Sequence, residues 1–118
     1  MFLRLIGKWT TPISYAKAKA LVASGGELID VRNPEEYARE HLPGARNIPL
    51  DQVVVRLTGA QERAYIFYCQ SGLRSQRAAQ TLKRRGLGKV YNLGAMARWD
   101  ETPEVNAMVE PREANRPA

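Results

Sequence analysis

The stretch from Ala64 to Gly86, AYIFYCQSGLRSQRAAQTLKRRG, constrains this chain more than any other. A short apolar run ends at the only cysteine of the sequence, Cys69, and a loop with a glycine, an arginine and two serines follows before a helical pattern begins. The pattern predicts a buried strand over Tyr65 to Tyr68, with Cys69 at its carboxyl end and Gln70 to Ser75 curling around the sulfur ahead of the helix. Such a loop turns backbone N–H groups inward and adds the positive end of a helix, so it is suited to holding negative charge. The rest of the chain reads as scaffold for that sulfur.

Size and composition set the frame. With 118 residues, 44% of them hydrophobic, the chain suits one small domain with a real core. A lone cysteine excludes an internal disulfide framework, and with His41 as the only histidine no metal cluster is expected. The opening MFLRLIGKW is too short for a signal sequence and no later run could span a bilayer, so the expected compartment is the cytoplasm, with no membrane association. The formal charge is +6, unevenly placed: residues 100–118 hold five acids against two bases (net −3), leaving 16 bases against seven acids (net +9) in residues 1–99. A basic body attracts anions, but its bases are dispersed and no aromatic-interleaved patch appears, so a small anionic substrate is expected rather than nucleic acid.

Along the chain, Ser14 is the expected cap of a first helix carrying Tyr15, Ala18, Leu21 and Val22 at helical spacing, with Ser24-Gly25-Gly26 as its stop. Glu27 to Val31 reads as a short buried strand, and Asn33-Pro34-Glu35-Glu36 as a strong helix start: cap, proline at the first position, glutamate three residues after the cap. A strand followed by a helix is half of a parallel crossover unit. Asp30 and Arg32 then fall at a strand's carboxyl end, where open α/β sheets keep their ligands, although a local salt bridge would serve as well. His41 sits beside a Pro-Gly turn and reads as a hydrogen-bonded turn residue rather than a general base. Asp51 to Leu57 is ambiguous, since three consecutive valines favour a strand while Leu50, Val53, Val54 and Leu57 match a helical stripe. Thr58 to Arg63 is a polar connection. After the loop, Ser75, Ala78, Ala79 and Leu82 form the face of a helix that Gly86 ends, and Lys83, Arg84 and Arg85 complement its dipole. Lys89 to Leu93 reads as a last strand, and Gly94 to Trp99 as a turn and short helix anchored by Trp99.

The loop itself carries the chemistry. Inward amides, a helix N-terminus and a nearby arginine supply on the order of 3 kcal/mol favouring a thiolate, so Cys69 needs no partner histidine. Gly72 permits the tight turn, Ser71 and Ser75 offer hydroxyls, and Gln70 and Leu73 complete the wall. Arg74 is a planar fork suited to an oxyanion, or to bridging the loop to Asp30 or the domain body.

In this register CQSGLRS resembles the active-site loop of the rhodanese (thiosulfate sulfurtransferase) family, single-domain type. The likeness extends over IDVR at Ile29 to Arg32, EEY at Glu35 to Tyr37, HLPGARNIPL at His41 to Leu50 and NLGAMARW at Asn92 to Trp99. It implies a three-layer α/β/α sandwich around a mainly parallel five-stranded sheet, with the domain over residues 10–100, an N-terminal segment over 1–9 and a polar, partly ordered tail over 101–118. It makes Asp51 to Leu57 a helix. It further implies a sulfurtransferase without cofactor: Cys69 takes a sulfur from thiosulfate or a similar anionic donor as a persulfide and passes it to cyanide or to a small-molecule or protein thiol. Gln70, Ser71, Gly72, Leu73, Arg74 and Ser75 then form the substrate cradle, with Asp30 and Arg32 in support. The alternatives are a non-catalytic rhodanese-like binding module, which the intact cysteine disfavours, and an oxyanion phosphatase or arsenate reductase. Related phosphatases place five residues between cysteine and arginine; here four intervene between Cys69 and Arg74, a tighter cradle. One departure from the family pattern is at the last turn, where Gly94 is followed by Ala95 and Met96 rather than by a second glycine.

Overall fold

Four short apolar segments pair side by side in one direction. The computed structural model describes residues 10–57 and 62–100. Its strands are β1 (Glu27–Asp30), β2 (Arg46–Asn47), β3 (Tyr65–Cys69) and β4 (Val90–Ala95), in the order β2-β1-β3-β4 and all parallel. The described residues thus hold four strands where five were expected. The helices are α1 (Tyr15–Ala23), α2 (Pro34–Arg39), α3 (Leu50–Arg56) and α4 (Leu73–Arg84), followed by a 3₁₀ turn at Met96–Asp100. The expected segments 1–9 and 101–118, and most of the polar connection after Leu57, lie outside the described residues.

Strand alternation builds two cores. On β1 and β3, Leu28, Ile66 and Tyr68 face one side and pack with Tyr15, Ala18, Leu93 and Trp99. Ile29, Phe67 and Cys69 face the other and pack with Val53, Ala78, Ala79 and Leu82. A period of two sends successive side chains to opposite faces, so a strand covered by helices on both sides must be apolar throughout. The resulting α/β/α sandwich has α1 with the 3₁₀ turn on one face and α3 with α4 on the other, as the sequence implied. Trp99 anchors the first layer edge-on against Tyr15, ring centroids 4.7 Å apart.

Local chemistry explains the ends of the elements. Ser14 caps α1, its hydroxyl accepting the Lys17 amide at 3.1 Å. In α2, Pro34 follows the cap Asn33 and the Glu36 carboxylate accepts the Asn33 amide at 2.9 Å, closing the predicted capping box. Asp51 to Arg56 is helical, and of its valines only Val53 is buried while Val55 is 76% exposed. Helix α4 begins at Leu73 rather than after Ser75, because Gly72 at φ +101° already turns the chain into it. Among the described residues no helix is long and apolar enough to cross a membrane.

The topology fixes where ligands can sit. From β1 the chain crosses to β2 on one side, and β3 then lies on the other side of β1. In open α/β sheets, the crevice beyond the carboxyl ends of two such strands is the ligand site. Asp30 ends β1 and Cys69 ends β3.

Candidate active site

Cys69 closes the strand that runs through the middle of the sheet, and its side chain is wholly buried. Its Sγ accepts the amide of Gly72 at 3.0 Å and the amide of Ser75 at 3.4 Å. The first turn of α4 therefore points two N–H groups at the sulfur, since the opening amides of a helix have no partner within it. The Ser75 hydroxyl lies 3.7 Å from Sγ and itself donates to the carbonyl of Gly72 at 3.1 Å. The Ser71 hydroxyl accepts the Leu73 amide at 3.4 Å, and Ser71 lines a pocket beside the loop. Leu73 is 71% exposed at the rim.

The two supporting residues form a closed buried unit. Asp30 Oδ1 accepts the Arg32 backbone amide at 2.8 Å and its Nε at 3.0 Å, while Oδ2 accepts Nη2 at 2.7 Å. The hydroxyl of Tyr68 donates to Asp30 Oδ2 at 2.8 Å and accepts the amide of Leu42 at 3.0 Å. Burial opposes the charge of Arg32, but the hydrogen bonds and charge of Asp30 outweigh it and the guanidinium titrates above its ordinary value. Burial pushes the Tyr68 phenol up; the Leu42 amide works against this and Asp30 adds to it, so the hydroxyl stays protonated and donates. Arg32 also reaches Gln70, Nη1 to Oε1 at 3.4 Å, which ties this unit to the residue after the cysteine.

Of the roles expected of Arg74, the structure shows a bridge from the loop to the domain body, with Glu36 and not Asp30 as the partner. Arg74 neither touches Cys69 nor bridges to Asp30, whose oxygens are taken by Arg32 and Tyr68. Its guanidinium instead grips Glu36 on α2, Nη1 to Oε1 at 2.8 Å and Nη2 to Oε2 at 3.2 Å. Those hydrogen bonds first, then the bond from the Asn33 amide, lower the Glu36 carboxyl to about 2. His41 stacks on the Tyr37 ring, 3.8 Å between centroids, with Nδ1 2.8 Å from the Tyr37 carbonyl, the turn role the sequence suggested.

Two pockets flank the loop. One, of about 470 Å³, lies toward β4 and is lined by Pro12, Gly72, Leu73, Asn92, Ala95 and Arg98 among others. The other, of about 350 Å³, lies toward α2 and is lined by Arg32, Glu36, Arg39, Glu40, Gln70 and Met96. Among the described residues no group of histidine, cysteine and acidic side chains is placed to hold a metal ion.

A buried cysteine at a strand end, amides from a following helix turn and a sandwich of this topology can be compared with known proteins. Residues 14–102 match the sequence profile of the Rhodanese-like domain. The chain belongs to that family. Among curated relatives, the uncharacterized protein YqhL of Bacillus subtilis is 45% identical over 75 residues, 62% of this chain and 60% of YqhL. The chain thus spans less than two thirds of YqhL's length. The thiosulfate sulfurtransferase PspE of Escherichia coli is 39% identical over 71 residues, 58% of this chain and 68% of PspE. Among solved rhodanese-like structures, the human single-domain sulfurtransferase TSTD1 superposes with a TM-score of 0.66 at 30% identity, covering 77% of this chain and 96% of TSTD1.

Two residues of this rhodanese-like site were not singled out from the sequence as part of it. Glu36 reads there as a helix-capping glutamate, which it also is, and its second partner lies 38 positions away. Tyr68 reads as one more apolar residue of a buried strand; only the pairing of β1 with β3, which sets Asp30 opposite Tyr68, brings the phenol to the carboxylate.

Proposed function

We propose that this chain is a sulfurtransferase, which moves a sulfane sulfur from thiosulfate or a similar donor to a thiophilic acceptor by way of a persulfide on Cys69. The observation that carries this reading is the pair of backbone amides, from Gly72 and Ser75, aimed at a cysteine sulfur at the carboxyl end of the central strand. In the first step the Cys69 thiolate attacks the outer sulfur of thiosulfate. An S–S bond forms to Sγ, the bond between that sulfur and the sulfonate breaks, and its electron pair leaves with sulfite. In the second step cyanide or a thiolate attacks the outer sulfur of the persulfide, and the electron pair of the broken S–S bond returns to Sγ. Negative charge is present on the cysteine before, between and after the steps, so amides fixed in place around it serve throughout without reorganising. Family membership and the naming of PspE and TSTD1 as sulfurtransferases support the same reading. The donor is a small anion, the acceptor cyanide or a thiol, and the proposed compartment is the cytoplasm, where a thiol stays reduced.

Intact-mass spectrometry tests this directly. After incubation with thiosulfate the protein should gain one sulfur atom, which cyanide or a reductant removes, and Cys69→Ser should gain none. Unmodified mass in the wild-type protein would sink the reading, and hydrolysis of an aryl phosphate without sulfur uptake would move the chain to the oxyanion-processing class.

A further inference from the structure

The groups that hold the sulfur are main-chain amides, and the one guanidinium of the loop is committed elsewhere. Arg74 gives Nη1 and Nη2 to the two oxygens of Glu36, at 2.8 and 3.2 Å. These are the parallel N–H groups with which an arginine chelates a tetrahedral oxyanion. Glu36 is itself anchored, because its Oε1 also accepts the amide of Asn33 at 2.9 Å at the start of α2. Arg74 nevertheless stays beside the sulfur: it lies in the first turn of α4, directly before Ser75, whose amide reaches Sγ at 3.4 Å. A cation suited to oxyanions therefore sits beside the cradle with its binding edge covered.

We propose that Glu36 is a positioning residue that sets the ligand class of the cradle: by occupying Arg74 it leaves an amide-only site, fit for a single sulfur anion and poor for a tetrahedral oxyanion such as phosphate. The proposal rests on the sulfur reading of Cys69 and adds to it the reason a phosphate does not compete. It makes a prediction that simple loss of structure does not share, because removing the carboxylate creates an affinity instead of destroying one.

The test titrates inorganic phosphate into wild type, Glu36→Gln and the double variant Glu36→Gln/Arg74→Met, by calorimetry and by ³¹P line broadening, with thiosulfate loading followed separately by intact mass. Glutamine also serves at the third position of a capping box, so the start of α2 is kept. Freed charge-assisted hydrogen bonds should tighten phosphate binding in Glu36→Gln by roughly ten-fold or more, and phosphate should then compete with thiosulfate. In the double variant the gain should vanish. Equal phosphate affinity in wild type and Glu36→Gln would overturn the proposal, as would a gain that persists without Arg74. Should Glu36→Gln fail to fold, Glu36→Asp shortens the carboxylate by one methylene and should give an intermediate gain; no gain in a folded Glu36→Asp would also overturn the proposal. Sulfur uptake in the wild type is read independently, so failure of the persulfide reading and failure of the Glu36 assignment give different results.

Discussion

At the scale of single residues, Gly72 supports the site twice over. Its amide stands 3.0 Å from the sulfur, and its φ of +101° is what lets the chain turn from the end of β3 into α4 within three residues. A Cβ at this position would come no closer than 3.4 Å to the nearest backbone atom, the amide nitrogen of Ala95, so the obstacle to a side chain is conformational and not steric. Gly72→Ala should destabilise the fold by roughly 1–2 kcal/mol in chemical denaturation. Thiosulfate loading should slow by more than that stability loss explains, because relieving the strain rotates the amide away from Sγ. The residue types of the loop were legible from the sequence, since a glycine after a strand-end cysteine has few other uses. The destination of Arg74 was not. A bridge to Asp30 or to the domain body was expected beside the oxyanion role, but the partner could not be named: Asp30 is taken by Arg32 and Tyr68, and only the folded arrangement brings Glu36 to the guanidinium.

At the scale of elements, the short helix α2 is held by its first turn. Glu36 closes the capping box on Asn33 and crosses to Arg74 on α4, so one carboxylate joins the starts of two helices. Its pKa is lowered from 4.5 to about 2 in the folded protein, by the Arg74 hydrogen bond first and the Asn33 amide second. A group depressed on folding contributes stability that is complete above its unfolded value and is lost as pH falls through the folded one. Acid unfolding should therefore show a loss of stability between pH 4.5 and about 2 that Glu36→Gln lacks, measured as denaturation midpoints across that range. If the two proteins titrate in parallel, the ion pair contributes nothing to the fold. The start of α4 lies at Leu73 and was expected after Ser75, whereas the caps and stops of α1 and α2 and the stop of α4 could be read from sequence because they depend on neighbours within a few residues. The stretch from Asp51 to Arg56 could not, since Val53 is buried and Val55 exposed only because α3 packs on α4 along one stripe.

At the scale of the whole molecule, the apolar run Tyr65 to Cys69 was legible as a strand buried on both faces, while the three-layer sandwich followed from the likeness to the family. The strand order β2-β1-β3-β4 was not legible, since nothing local in β1 says which neighbour it takes on either side. The formal charge of +6 acts at this scale too. A positive body raises the encounter rate of a dianionic donor, and salt screens that attraction with a Debye length of about 8 Å at 0.15 M. The second-order rate of thiosulfate loading should fall steadily as ionic strength rises, in stopped-flow experiments at fixed pH. A flat profile would mean that capture is governed by the loop alone. The complete burial of Cys69 has a separate consequence. Small electrophiles should therefore label Cys69 faster than bulky maleimides of equal intrinsic reactivity. A sulfur atom carried on Cys69, as proposed above, would be shielded from bulk thiols by the same burial that covers the cysteine itself.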